Sequence, residues 1–213
     1  MNRTDDHPLT LRDGHAHAWS AKTARARFRE GLTGPTAVQS HGPAPTRDGW
    51  PHESQVDYWF PANELTAANG VHITWYDGVN ALSKFEKPEG LPNLPGQGSI
   101  FIGDKGSMVL PHWGAPRMYP AEKYQGYKYP KLEPTDHYHQ FVDAVRGEGK
   151  TLAPYDYSGP LTESVLLGGI AVRFPKQKLE WDAKNIKVTN VAEANNFVQR
   201  EYRKGWEFDR LLA

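Results

Sequence analysis

The order in which two hydrophobic periodicities occur constrains this chain more than any single motif. Apolar residues first alternate with a period of two and only afterwards recur every 3.6 residues. Residues 55–60 (QVDYWF) set Val56, Tyr58 and Phe60 on one face, and residues 71–75 (VHITW) do the same with Val71, Ile73 and Trp75. Asn69-Gly70 and Asp77-Gly78 flank the second run as turn signals, because both pairs tolerate positive φ. Residues 99–102 and 107–110 read as a hairpin closed by Gly103-Asp104-Lys105-Gly106. The helical period comes next. Thr135 or Asp136 can cap a helix carrying Tyr138, Phe141, Val142 and Val145, which Gly147 stops. Ser158 followed by Pro160 and Glu163 resembles a second helix start, with Glu163 facing the exposed amides, and Leu161, Val165, Leu166, Ala171 and Val172 follow. Residues 179–181 and 186–188 read as short edge-like strands, and residues 191–203 as a final amphipathic helix around Val191, Ala194, Val198 and Tyr202. Runs of strands and then of helices, rather than strict alternation, predict an α+β fold. Its sheet is open and mostly antiparallel, with helices packed on one face.

The intervening segments lack such periods. Residues 1–32 read as a poorly specified N-terminal arm, with a short helix over 20–30 that only Phe28 and Leu32 can anchor. Residues 33–213 form the sheet domain. Prolines and glycines among polar residues make 34–51 a connector, and residues 79–98, with three prolines, a long loop of the kind that carries function or an interface. Residues 111–134 are a second irregular stretch, rich in Tyr and Pro.

Composition removes several chemistries. Twenty-five basic side chains balance twenty-five acidic ones, so no net field draws nucleic acid or anionic lipid to the surface. Without cysteine there is no disulfide, thiolate zinc site or cysteine nucleophile. The N-terminus is charged where a secretory signal needs an apolar run, and no apolar stretch has the ~20 residues that span a bilayer. The expectation is a cytoplasmic chain.

Motif by motif, the bland reading often wins. Gly96-x-Gly98 lacks a third glycine, because residue 101 is Phe101, and it leads into a strand, so a turn is expected and not a pyrophosphate cradle. Asp13-Gly14-His15-Ala16-His17 resembles the His-x-His pair of metal-dependent hydrolases, but the further ligands of such a site come from successive barrel strands that this length and pattern cannot supply. His137 and His139 stand about 200° apart around a helix and cannot chelate one ion, and His139 with Asp143 makes an i,i+4 hydrogen bond. Trp75-Tyr76-Asp77-Gly78 combines two aromatic faces with a carboxylate at a strand end. It reads equally as a turn and as a platform that stacks on and hydrogen-bonds a polyol ring.

Six segments, WYDG, FIGDKG, FVDAVRGEGK, YDYSGPLTESVLLGGIAVR, LEWD and REYRKGW, occur in an order that resembles the bacterial-type C-terminal domain of the Gfo/Idh/MocA oxidoreductases, from about Gly34 to Phe208. That resemblance implies a substrate-binding and oligomerisation domain of an NAD- or NADP-dependent sugar or polyol oxidoreductase. The family's N-terminal Rossmann half has no counterpart here. The chain is then expected to bind no cofactor alone, to be catalytically incompetent alone, and to need a separate Rossmann-domain partner for hydride chemistry. Glu86-Lys87-Pro88 copies a family motif in the wrong domain, so no catalytic role passes to Lys87. A homo-oligomer through the open sheet face is also implied. The rival reading is a stand-alone carbohydrate-binding or protein-scaffolding module without redox activity. In either case Trp75, Tyr76, Asp77, His137 and Tyr157 are the candidate pocket residues, by stacking, hydrogen bonding and polar orientation; no catalytic, cofactor-binding or metal-ligating residue is assigned.

Overall fold

In the computed structural model, residues 34–63, 66–78, 85–131, 135–199 and 201–207 are described, together with the backbone of 11–17. The strands are β1 (Leu11–His17), β2 (Ala37–Ser40), β3 (Glu53–Phe60), β4 (Val71–Gly78), β5 (Gly98–Gly103), β6 (Gly106–Pro111), β7 (Arg117–Tyr119), β8 (Lys178–Asp182) and β9 (Lys187–Val188). Two helices, α1 (His137–Val145) and α2 (Tyr155–Ala171), lie between β7 and β8 in sequence. An antiparallel group β4-β3-β2-β8-β9 and an antiparallel group β5-β6-β7 meet through β1, which runs parallel to β4 and antiparallel to β5. The α+β class and the open, mostly antiparallel sheet expected from the sequence are thus what the chain forms.

Alternation divides the sheet into two faces. Val38, Val56, Tyr58, Phe60, Val71 and Ile73 face α2, where Leu167, Ile170 and Ala171 meet them, and Leu179, Trp181 and Val188 extend this core. Burying one Leu side chain such as that of Leu167 contributes about 1.5–3 kcal/mol. Helix and sheet approach closely because residue 168 is glycine: a β-carbon there would collide with the Tyr58 hydroxyl. On the other face a smaller core of Leu91, Ile100 and Val109 forms, so part of the loop expected at 79–98 folds over the β5–β6 end, with Phe85 and Leu94 packed against it.

Several local expectations are corrected. The presumed connector at 34–51 contains β2, a four-residue strand paired on both sides, with Val38 fully buried. It is too short for a period to register, and its identity comes from its partners β3 and β8. β7 was hidden in the Tyr/Pro-rich stretch for the same reason. Asp77-Gly78 is not a turn, because the ladder continues until Gly78 stands opposite Glu53. Gly78 has a φ of 101°, and a β-carbon there would strike the His52 carbonyl.

α1 starts where expected. Asp136 Oδ1 accepts from the amides of Tyr138 and His139 at 2.8 and 3.0 Å. α2 begins earlier than its motif implied, at Tyr155 after Pro154, and takes Pro160 into its second turn. Ser158 then caps nothing, and its hydroxyl bonds back to the Pro154 carbonyl at 3.1 Å. Glu163 turns away from the helix start to accept the indole N–H of Trp181 at 2.6 Å, since a buried indole needs an acceptor. β8 pairs on both sides and is no edge strand. The final amphipathic helix is replaced by a short 3-10 turn, Ala192–Phe197. There the Asn195 side chain ties both the N–H and the C=O of Val188, at 2.8 and 2.9 Å, which draws the chain out of helical register. The helix expected over 20–30 lies outside the described residues. No helix among the described residues is long and apolar enough to cross a membrane.

Candidate acid–base site

With Val56, Tyr58 and Phe60 committed to the core, the strand period sends Gln55, Asp57 and Trp59 to the opposite face of β3. The register completes three rows there. Gln39, Asp57 and Thr74 form one row; Ala37, Trp59 and His72 form the next on one side. On the other side Gln55 stands between Tyr76 and His41, whose amide donates to the Gln55 carbonyl at 2.9 Å. Strand spacing separates the His41 and Tyr76 backbones by about 10 Å, with Asp57 one row below and between them.

Asp57 is the centre of this face and only 7% exposed. A buried carboxylate needs donors; His41 and Thr74 hydrogen-bond it, and His72 stands at ion-pair distance. His41 Nε2 lies 2.6 Å from Oδ2, Thr74 Oγ1 donates to Oδ1 at 2.5 Å, and His72 Nε2 lies 3.1 Å from Oδ1. Burial pushes the carboxyl upward, but the bonds from His72, Thr74 and His41 together with the charge of His72 outweigh it and hold Asp57 below its ordinary value. It is therefore an ionised, acceptor-only group at neutral pH. A neutral His41 imidazole that gives Nε2–H to this carboxylate keeps its lone pair on Nδ1. Its side chain is 36% exposed against 11% for Asp57, so His41 is the member of the pair that meets solvent.

Neighbouring rings fix the surround. His72 stacks on Trp59 with centroids 5.0 Å apart and planes 6° from parallel, and Lys178 Nζ sits 4.1 Å from the Trp59 centroid. Tyr76 tilts against Phe85 at 6.0 Å. Its phenol is pushed upward by burial and by the Asp57 charge, so it stays protonated and able to donate. The arrangement offers a fixed anion, an exposed imidazole and a phenolic proton on one sheet face.

The five residues singled out from sequence divide among four places. Tyr76 belongs to the acid–base face. Trp75 and Asp77 point the other way and border a cavity of about 290 Å³ with Trp50, Ser54 and Val165. Tyr157, in the first turn of α2, is half-buried against the core. His137 stands exposed at the start of α1, its ring 4.0 Å from that of Tyr138, beside a groove lined by α1 and residues 151–155. His139 faces Asp136 at 3.8 Å, and not Asp143. The side chains of His15 and His17 lie outside the described residues. Sequence reasoning missed His41, Asp57, His72 and Thr74. The legible signal was parity, since Asp57, His72 and Thr74 occupy the off-core positions of the two strands read correctly.

No family profile matches the chain. A protein of Streptomyces coelicolor named "Putative hydro-lyase" is 73% identical over 46 residues, which cover 20% of this chain and 17% of that protein. One of Streptomyces avermitilis, also named "Putative hydro-lyase", is 66% identical over 43 residues, 20% of this chain and 16% of that protein. The chain thus matches less than a fifth of the length of these curated relatives. Their name belongs to a different family from the Gfo/Idh/MocA oxidoreductases, which corrects the resemblance drawn above. The reading as the substrate domain of an NAD(P)-dependent sugar oxidoreductase falls with it, and the alternative of a carbohydrate-binding or scaffolding module gains no support either. The physical reason lies in the motifs, whose Asp-Gly, Gly-Asp-Lys-Gly and Gly-Glu-Gly elements are turn and stop signals that any antiparallel α+β domain uses.

Proposed function

We propose that this chain contributes to a hydro-lyase, adding or removing water across a carbon–carbon bond by acid–base catalysis at His41 and Tyr76, with Asp57 positioning His41. The observation that carries the reading is the ionised, nearly buried Asp57 bracketed by two imidazoles beside a protonated phenol; the names of the two relatives give the reaction class. In the elimination direction His41 Nδ1 takes the proton from the carbon next to a carboxylate or carbonyl. The electron pair forms the double bond, the carbon–oxygen bond on the neighbouring carbon breaks, and the Tyr76 hydroxyl protonates the departing hydroxide as water. Asp57 touches no substrate in this scheme. It orients His41 and stabilises the imidazolium that forms, a positioning role.

The test is exchange and turnover on a panel of 2- and 3-hydroxy carboxylates, followed by the ultraviolet absorbance of the conjugated product and by deuterium wash-in at the acidic carbon. Wild-type chain turns over at least one member, and His41→Gln lowers kcat by about 10²–10⁴-fold with KM little changed. A panel without turnover or wash-in, or a His41→Gln chain as active as wild type, overturns the proposal.

A further inference from the structure

A second site is carried by the opposite face of the sheet. Between α2, β8 and the 3-10 turn lies a cavity of about 750 Å³, the size of a small-molecule pocket, walled by Leu166, Ile170, Trp181, Ile186 and Phe197. Several of its polar groups are spent within the chain. The Ser158 hydroxyl donates to the Pro154 carbonyl, that of Thr162 donates to the Ser158 carbonyl at 2.8 Å, and Glu163 holds the Trp181 indole.

Arg173 is the one cation among the described residues of the lining. Its guanidinium lies 4.8 Å from the centroid of Phe197 and 5.1 Å from that of Trp50, and among the described residues no carboxylate or carbonyl accepts from it. Aromatic contacts use the faces of a guanidinium and leave its N–H edge open, and that edge matches a carboxylate in a two-bond fork. An open apolar groove whose one cation has no protein acceptor among the described residues, and whose one carboxylate, Glu163, is held by the Trp181 indole, selects a ligand with an apolar body and an anionic head.

We infer that this cavity binds a small apolar monocarboxylate, its alkyl or aromatic body against Leu166, Ile170 and Trp181 and its carboxylate on Arg173. The sheet lies between this cavity and Asp57, so the ligand is not a substrate of the acid–base face, and the inference does not depend on the hydro-lyase reading.

Octanoate and octanol are suitable probes because they differ in the anionic head, and Trp50 and Trp181 in the wall report occupancy by fluorescence. Octanoate is expected to give a saturable change and to bind about tenfold or more tightly than octanol. Arg173→Gln should abolish that preference while leaving octanol binding in place, and Arg173→Lys should retain part of it. Circular dichroism of both variants separates a lost contact from a lost fold. Equal binding of the two probes, no saturable signal, or an Arg173→Gln chain that still prefers octanoate overturns the inference. So does sedimentation showing self-association that octanoate cannot displace, which makes the cavity a subunit contact instead.

Discussion

At the scale of single residues, the ionised state of Asp57 depends on donors of unequal exposure, from the solvent-facing His41 to a buried threonine. Thr74 is 3% exposed, and its hydroxyl is committed to Asp57 Oδ1. Thr74→Val keeps the shape and the strand preference but removes that donor from a charged acceptor, at a cost of about 1.5–3 kcal/mol. The same change removes one of the bonds that lower the Asp57 pKa, so the carboxyl should titrate at a higher pH. Urea unfolding measures the first effect and carbon-detected NMR titration of the Asp57 carboxyl the second. A variant that lost stability without moving the titration would show that Thr74 acts through packing and not through the carboxylate.

At the scale of elements, the contact between α2 and β3 turns on Gly168. A methyl group there meets the Tyr58 hydroxyl, so Gly168→Ala should destabilise by about 1–3 kcal/mol despite the better helix propensity of alanine. Gly168→Ala combined with Tyr58→Phe, which removes the colliding oxygen, should cost less than the sum of the two single changes in urea melts; strict additivity would mean that the ring and not the hydroxyl is in the way. This contact also marks the limit of what the sequence disclosed. The strands with full alternation, β3 and β4, and the hairpin of β5 and β6 were legible because each carries its own period and turn residues. β2 was not, since four residues between prolines take their strand character from two neighbours. The acid–base site shares this limit: Asp57, His72 and Thr74 sit at legible off-core positions, but His41 reaches them only because β2 pairs with β3. α1 shows the converse. Its cap and period were readable, yet none of its residues is buried, so Tyr138, Phe141, Val142 and Val145 keep an apolar stripe on the surface.

At the scale of the whole molecule, the strands β2, β3 and β4 bind the acid–base face and the α2 core into one unit, so protonating Asp57 is felt by the fold. Its folded pKa lies below the ordinary 3.8, which means that the unfolded chain takes up a proton at higher pH than the native one does. The stability this provides is therefore fully present above about pH 4 to 5 and is lost as the pH falls through the lowered native value. Asp136, whose carboxylate accepts the first amides of α1, shifts in the same direction but is fully exposed, and α1 buries nothing, so its protonation should fray α1 and leave the sheet intact. Two acid transitions of different extent follow. Far-ultraviolet dichroism should lose a small helical signal in Asp136→Ala already at neutral pH. The cooperative unfolding seen by Trp fluorescence should depend on pH between 5 and 3 in wild type, and much less so in Asp57→Asn, which starts out less stable. If Asp57→Asn kept the full acid dependence of the wild type, the carboxylate that couples this face to the fold would have to be another one.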